Sequence, residues 1–393
     1  MGRNGGTIGA ASRIAGIDLA RFLAIAGMLA VHVGPMGLTD PAGRLYAGLT
    51  HGRASILFGL LAGIGVSLLA RSRSASLGET RLRLVWQAAL LLPLGLWLQT
   101  LDVPIRVILS YYALLFVLGA VCIGLATRPL AVIAAAALAL GPVAFQLGRR
   151  VAPDSFGRAP VEWGDPAFEI AHGLLLSGPY PLITWATPFL VGMLLGRADL
   201  RSPYLRLALV VGGFALAVLA AAAWLLLSQV FGEPEGPRDW LNLLNGGPHS
   251  QMPLWLIGSI GSALLVLGLS LVAADRLGKV VWPFVAAGQL ALTIYVAHIL
   301  AFHWFGETLR ATELGEAVGT VTIGVAAAAV FAILWRSLLP RGPLEFLMTL
   351  PALLTQRRRS GENPREGLPE STARSATHRR AEAGAGHIPG LWR

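Results

Sequence analysis

Three ionisable residues, Asp18, Arg21 and His32, interrupt an apolar stretch near the start of the chain. The ten residues between Arg21 and His32, Phe-Leu-Ala-Ile-Ala-Gly-Met-Leu-Ala-Val, are all apolar or glycine. On an α-helix eleven positions make three turns plus about 20°, so Arg21 and His32 share a face, roughly 16 Å apart along the axis. Asp18 falls on nearly the same stripe and pairs with Arg21 at i,i+3. A guanidinium at one end can hold an anionic arm, and an imidazole at the other has an ordinary pKa near 6.5, suited to taking a proton at neutral pH. Charged groups inside a membrane segment cost about 2.5–3.5 kcal/mol each on insertion scales and by default indicate function. Each residue also has a plainer reading, Arg21 snorkelling at a helix that begins at Phe22 and His32 ending the helix at the interface. Ile14, Ala15, Gly16 and Ile17 extend the apolar run before Asp18 and place both charges below the surface.

The elements that position these residues are membrane helices. The chain has 393 residues, is 55% hydrophobic and 13% charged, and has a mean hydropathy of +0.64. Apolar runs of bilayer length recur at about 15–35, 53–70, 84–101, 104–126, 129–148, 180–196, 205–230, 253–273, 281–304 and 317–340. They predict an all-α, polytopic membrane protein of ten helices, with a short amphipathic piece at 343–354 on the interface. Residues 1–12 read as an N-terminal segment, 13–354 as the helical domain and 355–393 as a disordered basic tail.

Arginine placement predicts orientation. The loops after the second, fourth, sixth and eighth segments hold Arg71, Arg73, Arg81, Arg83, Arg128, Arg197, Arg201, Arg206, Arg276 and Lys279, while the alternate loops are longer and more acidic. The positive-inside rule makes the basic side, and both termini, cytoplasmic, and the membrane the cytoplasmic one. The net charge of +10 is then mostly topological signal and basic tail, and gives no reason to expect a nucleic-acid partner. The first segment, with a short basic stretch before it and no small-residue cleavage site, reads as an uncleaved anchor. One cysteine, Cys122, supports neither a disulfide framework nor a thiolate metal site, and no helical histidine spacing suggests a metal.

On this topology the six histidines outside the tail, His32, His51, His172, His249, His298 and His303, lie in the outer half of the membrane or in outer loops. His172 reads as a loop residue and His303, beside Trp304, as an interfacial anchor. His298, one turn after Tyr295, is placed to line a polar cavity. The turn Asn245-Gly246-Gly247-Pro248-His249-Ser250-Gln251 has glycines that let backbone approach a ligand. His51-Gly52-Arg53 opens the second segment, where His51 and Arg53 are candidates to face the same cavity as His32. Gly192 and Gly196 form a small-xxx-small pair, for which helix packing suffices.

Asp18-Leu-Ala-Arg21 with His32 resembles the first-helix signature of bacterial membrane acyltransferases of the third acyltransferase family. Arg13-Ile-Ala-Gly-Ile-Asp18-Leu-Ala-Arg21 and Phe58-Gly-Leu-Leu-Ala-Gly63 resemble heparan-α-glucosaminide N-acetyltransferase-like proteins. Pro248-His249-Ser250, Gly288-Gln289-Leu-Ala-Leu-Thr293-Ile-Tyr295, Trp335-Arg336 and Gly342-Pro343-Leu344-Glu345 resemble the domain-of-unknown-function 418 family. The resemblance spans roughly residues 12–348. It implies ten or eleven helices and transfer of an acyl group, acetyl first among them, from cytoplasmic acyl-CoA to a hydroxyl or amine on the far side. The acceptor would be a cell-envelope glycan, a lipid or a small metabolite. Asp18 and Arg21 would serve the donor, and Arg53, His249, Tyr295 and His298 the acceptor. There are departures: Phe22 follows Arg21 where relatives usually carry glycine, and some relatives carry Asn at the position of His32. In the glucosaminide enzymes the active histidine lies in the first outer loop, where this chain has His51. The base is therefore open between His32 and His51. The rival class is a transporter or lipid-handling protein without acyl-transfer chemistry, which discontinuous helices and an inverted repeat would favour.

Overall fold

The computed structural model describes residues 13–35, 41–71, 76–157 and 159–351. The expected N-terminal segment, the whole of the basic tail and residues 352–354 of the interfacial piece lie outside them. The described residues are helical, with no β-strand among them. Among the described residues twelve α-helices follow in order: α1 Ala15–Val33, α2 Pro41–Thr50, α3 Arg53–Ala70, α4 Leu77–Gln99, α5 Leu109–Cys122, α6 Thr127–Val151, α7 Ala167–His172, α8 Leu182–Leu195, α9 Pro203–Phe231, α10 Pro253–Gly288, α11 Ala291–Phe305 and α12 Leu314–Leu338, and the expected interfacial piece is helical from 343.

Seven helices among the described residues are long and apolar enough to cross a membrane, counting α2 and α3 together as one run. The chain is an integral membrane protein on this ground. α7 with its π-turn continuation to Ser177 and α8 are long and apolar enough only when taken together, and they meet at 57°; α5 and α11 are apolar but shorter. Each expected segment contains a helix, but several differ in extent.

The segment expected from 84 begins at Leu77, because Ser76 and Glu79 form a capping box: the Ser76 hydroxyl accepts from Glu79 N–H (3.2 Å) and the Glu79 carboxylate from Ser76 N–H (2.8 Å). Arg81 and Arg83, assigned to a loop by composition, therefore lie on α4. The segment expected at 104–126 is helical only from Leu109. Before it, Val103, Ile105 and Val107 are buried while Pro104 and Arg106 are exposed, the alternation of an extended stretch. Gln99 fixes that stretch, accepting from Val107 N–H (2.8 Å) and donating to the Ile105 carbonyl (3.3 Å). The segment at 281–304 is broken: α10 runs past its expected end at 273, kinks at Gly278 and reaches Gly288, and a turn at Gln289–Leu290 precedes α11.

α1 lies at the centre, packed on α10 and α3 and touching α11 and α12. α9 and α12 are peripheral; α9 buries only Leu209, Gly213 and Ala220. In lipid there is little hydrophobic gain from bringing helices together, so close packing holds them. A Cβ at Gly192 would run into the Leu60 carbonyl of α3, and one at Gly63 into the Phe189 carbonyl of α8. The small-residue pair in α8 is thus a packing device, and Trp185, Phe189, Leu60 and Ile64 fill the seam around it.

Candidate functional site between two cavities on helix α1

The stripe on α1 exists. Asp18 is 1% exposed and sits between two guanidinium groups: Arg21 Nη1 donates to Oδ1 at 2.7 Å and Arg13 Nε lies 3.0 Å from Oδ2. The buried carboxylate holds the Arg21 side chain, 29% exposed, at the edge of an internal cavity. Arg21 lines a cavity of about 330 Å³ between α1, α3, α4, α5 and α11. Arg83 and Gln87 of α4 line it too, and the remaining walls are apolar apart from Tyr112 and Tyr295. Arg83 Nε is buried and without a hydrogen-bond partner. A buried, unsatisfied cationic donor is costly alone, and an anionic guest would relieve it. Trp86, donating to the Leu347 carbonyl at 3.0 Å, ties helical residues 343–348 to α4 beside this cavity.

His32, at the other end of the stripe, lines a second, small cavity with Thr50, Ser55, Arg106, Tyr180, His249 and Tyr295. Its volume of about 30 Å³ leaves room for one or two waters. Met28, Ile108 and Tyr295 line both cavities, so these three residues form the partition between them. Tyr295 is 4% exposed and its hydroxyl accepts from Ile108 N–H at 3.1 Å, which leaves the hydroxyl proton for another acceptor.

His298 stands one turn beyond Tyr295 on α11. Its Nε2 is 3.2 Å from His32 Nδ1, with the rings nearly parallel. One of these nitrogens donates and the other accepts, so the bond holds only while one of the two carries no proton. The N-terminus of α11 is fixed by Glu345, whose carboxylate accepts from the N–H groups of Leu292 (2.8 Å) and Thr293 (3.0 Å) and from the Thr293 hydroxyl (2.5 Å). An acid at a helix N-terminus is favoured by the helix dipole. The motifs Gly288–Tyr295 and Gly342–Glu345, far apart in sequence, are one structural unit.

His249 enters the small cavity from a locked turn. It has a positive φ of 55°, and Gln251 one of 70°. Gln251 is fully buried; its carbonyl oxygen accepts from Thr184 (2.9 Å) and Trp185 (3.0 Å), and its amide donates to the Pro179 carbonyl (3.0 Å). This anchorage holds two non-glycine residues in a sparsely populated region, a cost of order 1–3 kcal/mol each. The His249 ring packs between Tyr180 and Trp255. The loop leading to the turn is closed by Asp239, whose carboxyl is held below the usual carboxylate range by the N–H groups of Leu241 and Glu235.

The other candidates fall outside the cavity. His51 and Arg53 flank it through their neighbours Thr50, Gly52 and Ser55 but do not line it, and His51 Nδ1 is 3.1 Å from the Thr50 hydroxyl. His172 bonds Ser177 at 2.9 Å and packs on Phe156, a structural role; His303 is exposed beside Trp304. Among the described residues no three His, Cys, Asp or Glu side chains converge as a metal set. Arg83, Arg106 and Tyr180 were missed by sequence reasoning. For Arg106 the available signal was the alternation in Val103-Pro-Ile-Arg-Val107, and for Arg83 the capping box before it.

No family model matches the chain, and no curated protein matches it.

Proposed function

We propose that the chain is an acyl-CoA-dependent acyltransferase of the cytoplasmic membrane, with ten crossings and both termini cytoplasmic, moving an acyl group, acetyl in the first instance, to an acceptor hydroxyl or amine presented from the far side. The observation that carries this reading is the pair of cavities along one helix, one lined by the guanidinium groups of Arg21 and Arg83 and the other by His32, whose partner His298 stands 3.2 Å away, with Met28, Ile108 and Tyr295 lining both. Such an arrangement suits a donor and an acceptor that arrive from opposite sides and meet at a partition.

In this reading Arg21 and Arg83 hold the phosphates of the CoA arm, and the thioester reaches the partition. His32 carries its proton on Nδ1, bonded to His298 Nε2, which leaves Nε2 as the base. It takes the proton of the acceptor O–H or N–H as the acceptor attacks the thioester carbonyl. The Tyr295 hydroxyl donates to the oxyanion that forms. Collapse breaks the C–S bond, the acceptor keeps the acyl group, and CoA leaves as a thiolate that takes the proton from His32. His298 orients His32 and is a positioning residue.

The direct test is incubation of the purified chain, in lipid nanodiscs, with radiolabelled acetyl-CoA. Hydrolysis, or transfer of label to envelope extract, supports the reading; absence of both CoA binding and label transfer overturns it. A second reading, a transporter or lipid-handling protein, is favoured by the 57° bend between α7 and α8 and the break between α10 and α11. Inverse outcomes in that experiment would move it ahead.

A further inference from the structure

A third cavity, of about 520 Å³, lies between α1, α11 and α12. Its volume is in the range of small-molecule sites. Its walls are apolar, among them Phe22, Leu29, Ile294, Phe302 and Phe331, and the polar exceptions are His298, Thr308 and Thr320. One wall is α12, which buries little of its surface and leaves Ile323 71% exposed. In an integral membrane protein that side faces hydrocarbon. The cleft follows α1 from Phe22 to Val33, a length of about 16 Å. One leaflet of a hydrocarbon core about 30 Å thick has nearly that depth. Water gains little in such a space, because its polar partners there are confined to His298, Thr308 and Thr320.

His298 makes the cleft more than a packing gap. It lines the cleft, while its partner His32, 3.2 Å away, lines the small polar cavity. The histidine pair therefore bridges an apolar slot of leaflet depth and a polar chamber. We infer that the cleft holds the hydrocarbon chain of a membrane lipid whose hydroxyl- or amine-bearing head reaches the His32–His298 pair. This deepens the acyltransferase reading and rests on it: the acceptor is a membrane lipid, entering sideways from the bilayer rather than from the aqueous phase. A small polar chamber suffices for such an acceptor, because most of the molecule stays in the cleft.

The test uses the full chain in nanodiscs that contain phosphatidylethanolamine with a diazirine at mid-chain. After illumination, cross-links are expected to concentrate on peptides covering residues 22–33, 294–302 and 320–331. Ala328→Phe narrows the cleft and should lower that labelling several-fold without changing CoA affinity. Should Ala328→Phe misfold, Ala301→Val supplies the milder narrowing. Labelling spread equally over α9 and the outer face of α12, or unaffected by either variant, overturns the inference. Acetyl transfer is followed in the same samples. Label confined to water-soluble acceptors leaves an acyltransferase and removes the lipid acceptor. Cleft labelling without CoA binding leaves a lipid site and removes the acyltransferase.

Discussion

The Glu345 carboxylate holds Thr293 twice, accepting from its backbone N–H at 3.0 Å and from its hydroxyl at 2.5 Å. This places a capping acid on the helix that presents Tyr295 and His298, directly after a turn that leaves the helix without a local side-chain cap. Hydrogen bonds to a charged group are worth about 1.5–3 kcal/mol each, and an N-terminal cap about 0.5–2 kcal/mol. Glu345→Ala should therefore destabilise the protein by about 1–3 kcal/mol, with Glu345→Gln intermediate, read as the melting temperature in detergent. Unchanged melting of the alanine variant would show that α11 is held by packing alone.

In the proposed reading donor binding rests on two arginines on different helices, Arg21 and Arg83. Arg21→Lys keeps the charge but loses the planar fork, so CoA affinity should fall nearly as far as in Arg21→Ala, by about ten- to a hundredfold. Arg83→Ala should fall comparably, since its buried Nε has no protein partner. Isothermal titration with CoA measures both. Unchanged affinity in Arg21→Ala would reduce that residue to a counter-ion of Asp18.

The chemistry should be concentrated on His32. His32→Ala is expected to lower turnover by about 10²–10⁴-fold with CoA binding intact. His298→Ala should cost less and shift the pH profile, because His32 loses the neighbour that fixes its tautomer. His51→Ala should be mild, as His51 does not line the cavity. The base acts only when neutral, so wild-type turnover should fall on acidification. A larger loss in His51→Ala than in His32→Ala would transfer the role to His51.

Topology is accessible to labelling. Single cysteines placed at residues 159–166 or 233–238, in a Cys122→Ser background, should react with an impermeant thiol reagent added to whole cells. Labelling only after lysis would reverse the orientation and exchange the sides from which donor and acceptor arrive.

The sequence by itself determined the solvent and the first helix. Runs of apolar residues specify helices in lipid because every backbone polar group must be satisfied within the segment. The Asp18–Arg21–His32 stripe followed from helical geometry and appears as expected, with Asp18 paired to Arg21. Helix ends and wall residues were another matter. The break at Gln289–Leu290 sits in a run that is apolar apart from Gln289 and Thr293 between Val280 and Val296, and the carboxylate that caps its far side comes from Glu345, 52 positions beyond Thr293. Lipid and the bundle interior are both apolar, so hydropathy carries no contrast between a face that packs, a face that lines a cavity and a face that meets the bilayer. Only the tertiary packing decided that Arg83 and Arg106 join the site, that His51 and Arg53 stand beside it, and that His298 touches His32 across 266 positions of chain.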